Sequence, residues 1–180
     1  MLERLKSNGS YPIVFLTLIV LISVSLLLYI NTFTSEIVET QKQAKIKAAL
    51  EQIFPELTGF EEDGEIFIIY EGDDIAGYTF IASGSGYSGV ISILVGINID
   101  YAIRNVAILS HTETPGLGSK ITEEAFTAQF IGLGTDEIAL SKDNGKIDAI
   151  TGASISSRAV TDSVKKELDK NIEIIKKNNY

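Results

Sequence analysis

The segment Asp148-Ala149-Ile150-Thr151-Gly152-Ala153-Ser154-Ile155-Ser156-Ser157-Arg158 gathers hydroxyls, small residues and a guanidinium at the start of a long stretch with helical apolar spacing. The first N–H groups of a helix have no carbonyl to bond and lie at its positive dipole end, so such a start can hold an anion. Gly152 and Ala153 would let a phosphate approach the backbone, and Arg158, one turn in, could add a cation. The same residues also read as plain capping, since serine and threonine are favoured N-caps and Gly152 can end the preceding strand. A second segment, His111-Thr112-Glu113-Thr114-Pro115-Gly116-Leu117-Gly118, exposes backbone N–H and C=O groups in a shape set by its proline and glycines. Such groups suit the polar edge of a planar ring; equally, the segment reads as a turn-rich link between a strand and a helix.

Other chemistries are narrowed by composition. His111 is the only histidine and there is no cysteine, which excludes His-rich metal sites and iron–sulfur ligation. No nucleophile-elbow pattern surrounds any serine, so a Ser–His–Asp hydrolase has no support. Gly84-Ser85-Gly86 with Gly89 looks superficially like a phosphate loop, but a strand rather than a helix follows it.

The elements that must position these segments follow from periodicity. Glu36–Ile53 reads as a helix with Ser35 as its candidate N-cap, ended by Phe54-Pro55 because the residue before proline avoids helical geometry. Ile66–Tyr70 and Ile75–Ile81 are β-branched and aromatic runs about the turn Glu71-Gly72-Asp73-Asp74. Val90–Ile99 and Ile103–Leu109 repeat that pattern about Asp100-Tyr101. Links this short require antiparallel pairing. A helix is expected at about Thr122–Phe130, short extended pieces at Ile138–Leu140 and Ile147–Ile150, and a turn at Asp143-Asn144-Gly145. In the last element, Ser154–Lys177, the residues Val160, Val164, Leu168, Ile172 and Ile175 mark one apolar face. Lys165, Lys166, Lys170, Lys176 and Lys177 lie largely off it, as a solvated face. The expected fold class is α+β: an N-terminal transmembrane helix, then one domain with an antiparallel sheet covered by helices, which the apolar stripe places on one face.

No charged residue occurs from Ser7 to Ser35, and Tyr11–Ile30 is dominated by Ile, Leu, Val and Phe. At ~1.5 Å of rise per residue, such a run crosses a hydrocarbon core of about 30 Å. Pro12 fits the first turn, where its missing N–H is not needed. The run exceeds a signal-peptide core and no small-x-small site promptly follows it, so it reads as an uncleaved single-pass anchor. Arg4 and Lys6 on one side nearly balance Lys42, Lys45 and Lys47 on the other, leaning weakly to an N-terminus inside. The chain carries a net charge of −9, which makes a nucleic-acid partner improbable.

Three co-linear stretches, GYSGVISILVGINID (Gly86–Asp100), HTETPGLGSKI (His111–Ile121) and DAITGASISSRAV (Asp148–Val160), resemble the FMN-binding domain family. With the anchor and the helix after it, the likeness extends over nearly the whole chain. It is greatest to the G subunits of Rnf ion-translocating electron transport complexes; the related C subunits of the sodium-pumping quinone reductase share the last two motifs but are longer. The resemblance implies a covalent FMN, joined by a phosphoester to the last residue of a [Ser/Thr]-Gly-Ala-Thr pattern by a flavin transferase that uses FAD and a divalent metal. Thr151, Gly152 and Ala153 match that pattern, and Ser154 stands at the acceptor position with its hydroxyl kept and a methyl group lost. Ser156 and Ser157 are fallback acceptors.

By the same resemblance Asp148 belongs to transferase recognition, and Glu113, Thr114, Leu117, Gly118 and Ile155 surround the flavin. The implied partners are other subunits of an Rnf-type complex, the transferase and the membrane. The implied layout is a cytoplasmic N-terminus (1–10), a transmembrane helix (11–31), a connecting helix (32–55) and an extracytoplasmic FMN-binding domain (56–180) on the inner membrane. The expected role is electron transfer within an ion-translocating ferredoxin:NAD oxidoreductase, with no complete reaction on this chain alone. The alternatives are a stand-alone covalent flavoprotein of another respiratory chain and a non-redox membrane-anchored binding module.

Overall fold

The computed structural model describes residues 11–178. Its first element, α1 (Tyr11–Ile53), is a single helix of 43 residues. Within it Pro12–Ile30 has a mean hydropathy of 2.9 and none of it is buried, a segment long and apolar enough to cross a membrane. The helix expected from Glu36 is therefore the continuation of the first one, and Ser35 lies inside it rather than at an N-cap. The residues between, Asn31 to Ser35, include no proline or glycine to interrupt the backbone bonding. The chain divides into two compact units between Ala44 and Lys45.

In the second unit five strands form a meander in the order β1-β2-β3-β4-β5. They are β1 (Gly59–Asp63), β2 (Ile66–Glu71), β3 (Asp74–Ser85), β4 (Val90–Asn98) and β5 (Ile103–Ser110). All pairings are antiparallel, as the short links require. Strand β1 (sequence GFEED) has no apolar alternation to announce it; its pairing with β2, from Gly59↔Tyr70 to Asp63↔Ile66, supplies what its own residues do not. Its exposed carboxylates guard the sheet edge against further pairing.

The period of two along the strands feeds two cores. Ile66, Ile68, Phe80, Ala82, Ile93 and Val95 point to one face, whereas Phe67, Ile69, Ile81 and Leu94 point to the other. The first face carries the last helix through Val160, Val164, Leu168 and Ile175. The second carries the end of α1 through Ala49, Leu50, Ile53 and Phe54. Helical cover thus extends beyond the one face that the C-terminal stripe announces. Glycines set the close approaches: a Cβ on Gly84 would lie 2.4 Å from the Ala159 carbonyl oxygen, and one on Gly96 would lie 2.3 Å from Ile53.

Between β5 and the last helix the chain is compact but irregular. The helix expected at Thr122–Phe130 is divided into a 3-10 turn Gly118–Thr122, one short helix α2 (Glu124–Thr127) and a second 3-10 turn Ala128–Phe130. Glu123 between the first two is extended, with φ −74° and ψ 142°. Phe126 and Phe130 anchor the segment, edge to face at 5.6 Å. The extended pieces expected near Ile138 and Ile147 meet in one parallel bridge, Leu140↔Ile147, with Asn144 turning the chain at φ 63°. Helix α3 (Ser154–Asn178) then runs to the end of the described residues. Its lysines face outward, Lys170 pairing with Glu65 and Lys176 lying 5.1 Å from the Tyr101 ring centre.

Candidate functional site

The start of α3 differs from a simple capped helix. Its first backbone bond runs from the Ser157 N–H to the Ala153 carbonyl at 2.9 Å, so Ala153 takes the N-cap position and Ser154 is the first helical residue. The Ser154 side chain is therefore not the cap. It is exposed, and among the described residues it has no hydrogen-bond partner. The N–H groups of Ser154, Ile155 and Ser156 likewise have no acceptor among the described residues. A capping side chain that would ordinarily satisfy one of them is missing, because alanine stands where serine or threonine is preferred. Gly152, at φ 80°, supplies the left-handed turn that brings the chain into the helix.

The neighbouring serines have other tasks. The Ser157 hydroxyl is fully buried, accepts from the Ile150 N–H at 3.0 Å and donates to the Ala153 carbonyl at 3.0 Å. Ser156 is buried as well and donates to a Glu113 carboxylate oxygen. Of the three hydroxyls at positions 154, 156 and 157, only that of Ser154 faces solvent.

Glu113 is 4% exposed and joins three parts of the chain. Besides Ser156, its carboxylate accepts from the Tyr87 N–H at 3.2 Å and the Ser88 N–H at 2.9 Å. Its own N–H donates to His111 Nδ1 at 3.2 Å. Burial pushes this carboxyl upward, but the bonds from Ser156, Ser88 and Tyr87 outweigh it and hold the pKa below its ordinary value. The cradle is tight: a Cβ on Gly86 would lie 2.4 Å from a Glu113 carboxylate oxygen, and one on Gly118 would lie 2.8 Å from both Glu113 and Ser156. Beyond it, the Thr114 carbonyl accepts from Leu117 and Ser119, closing the Pro115–Gly118 turn. The N–H groups of Thr114 and Gly118 find no acceptor among the described residues.

These segments wall a cavity of about 440 Å³. Glu113, Thr114, Leu117 and Gly118 form one side; Gly152, Ala153, Ile155 and Ser156 form the other, with Tyr87 at the margin. Tyr87, Leu117 and Ile155 are exposed at 72%, 47% and 56%, an apolar rim suited to the face of a planar ring. Of the residues singled out from sequence, Glu113, Thr114, Leu117, Gly118, Gly152, Ala153, Ile155 and the fallback acceptor Ser156 thus share one cavity. Ser154 adjoins it between Ala153 and Ile155, while Thr151 and Asp148 are exposed on the approach to α3. Gln129 fixes that approach by accepting from the Asp148 N–H at 2.7 Å. Arg158, considered as a cation for the anion, is instead paired with Asp143 at 2.7 Å. Tyr87, Ser88 and the Ser156–Glu113 bond escaped sequence reasoning. The Gly84–Gly89 link reads poorly as a phosphate loop, and indeed its N–H groups serve a carboxylate; no local pattern says which one.

A free hydroxyl and free N–H donors beside a cavity with an apolar rim fit a flavin phosphate and its ring. The sequence profile of the FMN-binding domain matches residues 86–169, which include every residue lining the cavity. The G subunit of the ion-translocating oxidoreductase complex of Methanosarcina acetivorans is 34% identical, over 87% of this chain and 92% of that protein. The G subunit of the proton-translocating ferredoxin:NAD(+) oxidoreductase complex of Clostridium ljungdahlii is 36% identical over 55% of each chain. Among solved structures, the C subunit of the Na(+)-translocating NADH-quinone reductase from Parabacteroides distasonis is 23% identical, with a TM-score of 0.48 over 57% of this chain and 58% of that one. With the Methanosarcina acetivorans subunit 34% identical over most of both chains and the FMN-binding profile falling on the cavity, the chain belongs to the family of G subunits of ion-translocating oxidoreductase complexes.

Proposed function

We propose that this chain is a membrane-anchored electron carrier whose FMN is esterified through its phosphate to Ser154. The observation that carries the reading is the pairing of an exposed hydroxyl with three N–H groups at the start of α3, all without partners among the described residues, next to the cavity. Attachment by a flavin transferase would form the Ser154 Oγ–P bond, break the pyrophosphate bond of FAD and release AMP. The serine proton would pass to a base on the transferase, with Asp148 presented to that enzyme on the exposed approach.

The helix-start N–H groups would hold the phosphate, while the Thr114 and Gly118 N–H groups and the Tyr87, Leu117 and Ile155 side chains would hold and screen the ring. Bound FMN supplies reversible one- and two-electron transfer; the residues supply placement and a local field. The chain has no cysteine to ligate an iron–sulfur cluster, and its sheet is an antiparallel meander rather than a parallel dinucleotide-binding one, so ferredoxin oxidation and NAD reduction would belong to other subunits of an Rnf-type complex. The segment Pro12–Ile30 supports an anchor; the family resemblance is the ground for placing residues 1–10 in the cytoplasm and the folded domain outside it. A covalent tether would keep the cofactor from being lost there.

The test is the intact mass of the full chain, produced with and without a flavin transferase, followed by peptide mapping. One FMN added at Ser154 only when the transferase is present is expected. An unmodified chain beside an active transferase would remove the covalent reading.

A further inference from the structure

We infer that the ionised Glu113 carboxylate, fixed in the cavity wall by Ser156 and the turn at Gly86–Gly89, lowers the electron affinity of the flavin; this rests on the function proposed above. Glu113 is 4% exposed, and its three donors converge on it from the β3–β4 link and the first turn of α3. None of the three is a cation. The Tyr87 and Ser88 N–H groups and the Ser156 hydroxyl solvate the carboxylate without cancelling its charge. A buried carboxylate without a cationic partner is costly to keep. The glycines at 86 and 118 make room for a side chain of this shape, and the three converging donors suit an acceptor-only carboxylate rather than an amide.

The consequence is electrostatic. Uptake of two electrons and one proton from a reductant leaves one more negative charge in the cavity. Glu113 is itself buried in the wall, so its fixed negative charge is screened less than an exposed one and opposes that product more strongly. The oxidised form is correspondingly favoured, and the couple becomes a stronger donor to the next carrier.

The experiment uses the full chain, co-expressed with a flavin transferase and purified in detergent, titrated with dithionite against a reference dye at pH 8. Glu113→Gln keeps the shape and removes the charge. It is expected to shift the equilibrium roughly tenfold toward the reduced form, about 30 mV for a two-electron couple. Glu113→Asp, which restores the charge, is expected to lie within about threefold of the parent. Ser156→Ala keeps the charge and removes one donor, so it should not move toward the reduced form.

An unshifted Glu113→Gln with normal flavin content overturns the inference and leaves the proposed function standing. So does an Asp variant displaced as far as the Gln variant, since shape rather than charge would then be responsible. Should Glu113→Gln fail to fold, the double variant Glu113→Gln with Ser156→Ala, which removes the buried donor together with the charge, takes its place: a shift toward the reduced form upholds the inference and an unshifted equilibrium overturns it. A parent chain that retains no flavin beside an active transferase overturns the proposed function and this inference with it.

Discussion

Ser154 and Ser156 stand two residues apart on the same helix and have opposite surroundings. Ser154 is exposed and unpartnered among the described residues, beside N–H groups that also lack acceptors. Ser156 is buried, with its hydroxyl committed to Glu113. Successive helical positions are about 100° apart, so two steps carry a side chain from the solvent face to the sheet face. One hydroxyl is thereby left available for chemistry and the other becomes part of the scaffold. Unsatisfied donors at the exposed start of the helix can be served by water, whereas the Ser156 hydroxyl and the Tyr87 and Ser88 N–H groups are committed to the buried Glu113 carboxylate.

Exchanging the two roles should be impossible, and the largest effect tests this. Ser154→Ala is expected to abolish covalent flavin while changing stability by only about 0.5 kcal/mol, as befits an exposed site. Intact mass and thermal unfolding of the same sample check both halves. Covalent flavin surviving at Ser156 or Ser157 would break the contrast.

Glu113→Ala attacks the buried side. Leaving the Ser156, Tyr87 and Ser88 donors without their acceptor should cost about 3 kcal/mol, read as a lower denaturation midpoint. The pH dependence sharpens this. Glu113 titrates below its ordinary value of 4.5 because its hydrogen bonds outweigh its burial. Its contribution to stability is therefore present above the unfolded-state value and is lost as pH falls through the lower folded-state value. Stability of the parent chain should fall in that acid window, and Glu113→Gln should flatten the fall. The smallest effect belongs to Arg158→Gln, which removes an ion pair whose side chains are 42% and 44% exposed and should cost under ~1 kcal/mol in an unfolding titration.

Much of the fold was legible because its elements are locally encoded. The β-branched alternation of Ile66–Tyr70 and Val90–Asn98, the turns after them and the stripe from Val160 to Ile175 each state their own geometry. Strand β1 was not legible, since its residues are exposed and acidic and only the neighbouring β2 makes them a strand. The broken helix between Gly118 and Phe130 was missed for a related reason: burial of Phe126 and Phe130 settles its path over any helical propensity.

By itself, the sequence determined a chain with an apolar segment fit to cross a membrane, an antiparallel meander, and three motifs of a flavin-binding type. The first two features rest on periodicity and residue chemistry, which act over short distances, and the third on resemblance to a known family. Tertiary structure alone decided that Tyr87, the loop residues Glu113, Thr114, Leu117 and Gly118, and the start of the last helix line one cavity, that Ala153 rather than Ser154 takes the cap, and that Glu113 is met by Ser156 and two backbone donors. Those relations join positions far apart in the chain, and they exist only when the sheet, the loop and the helix pack together and exclude water between them.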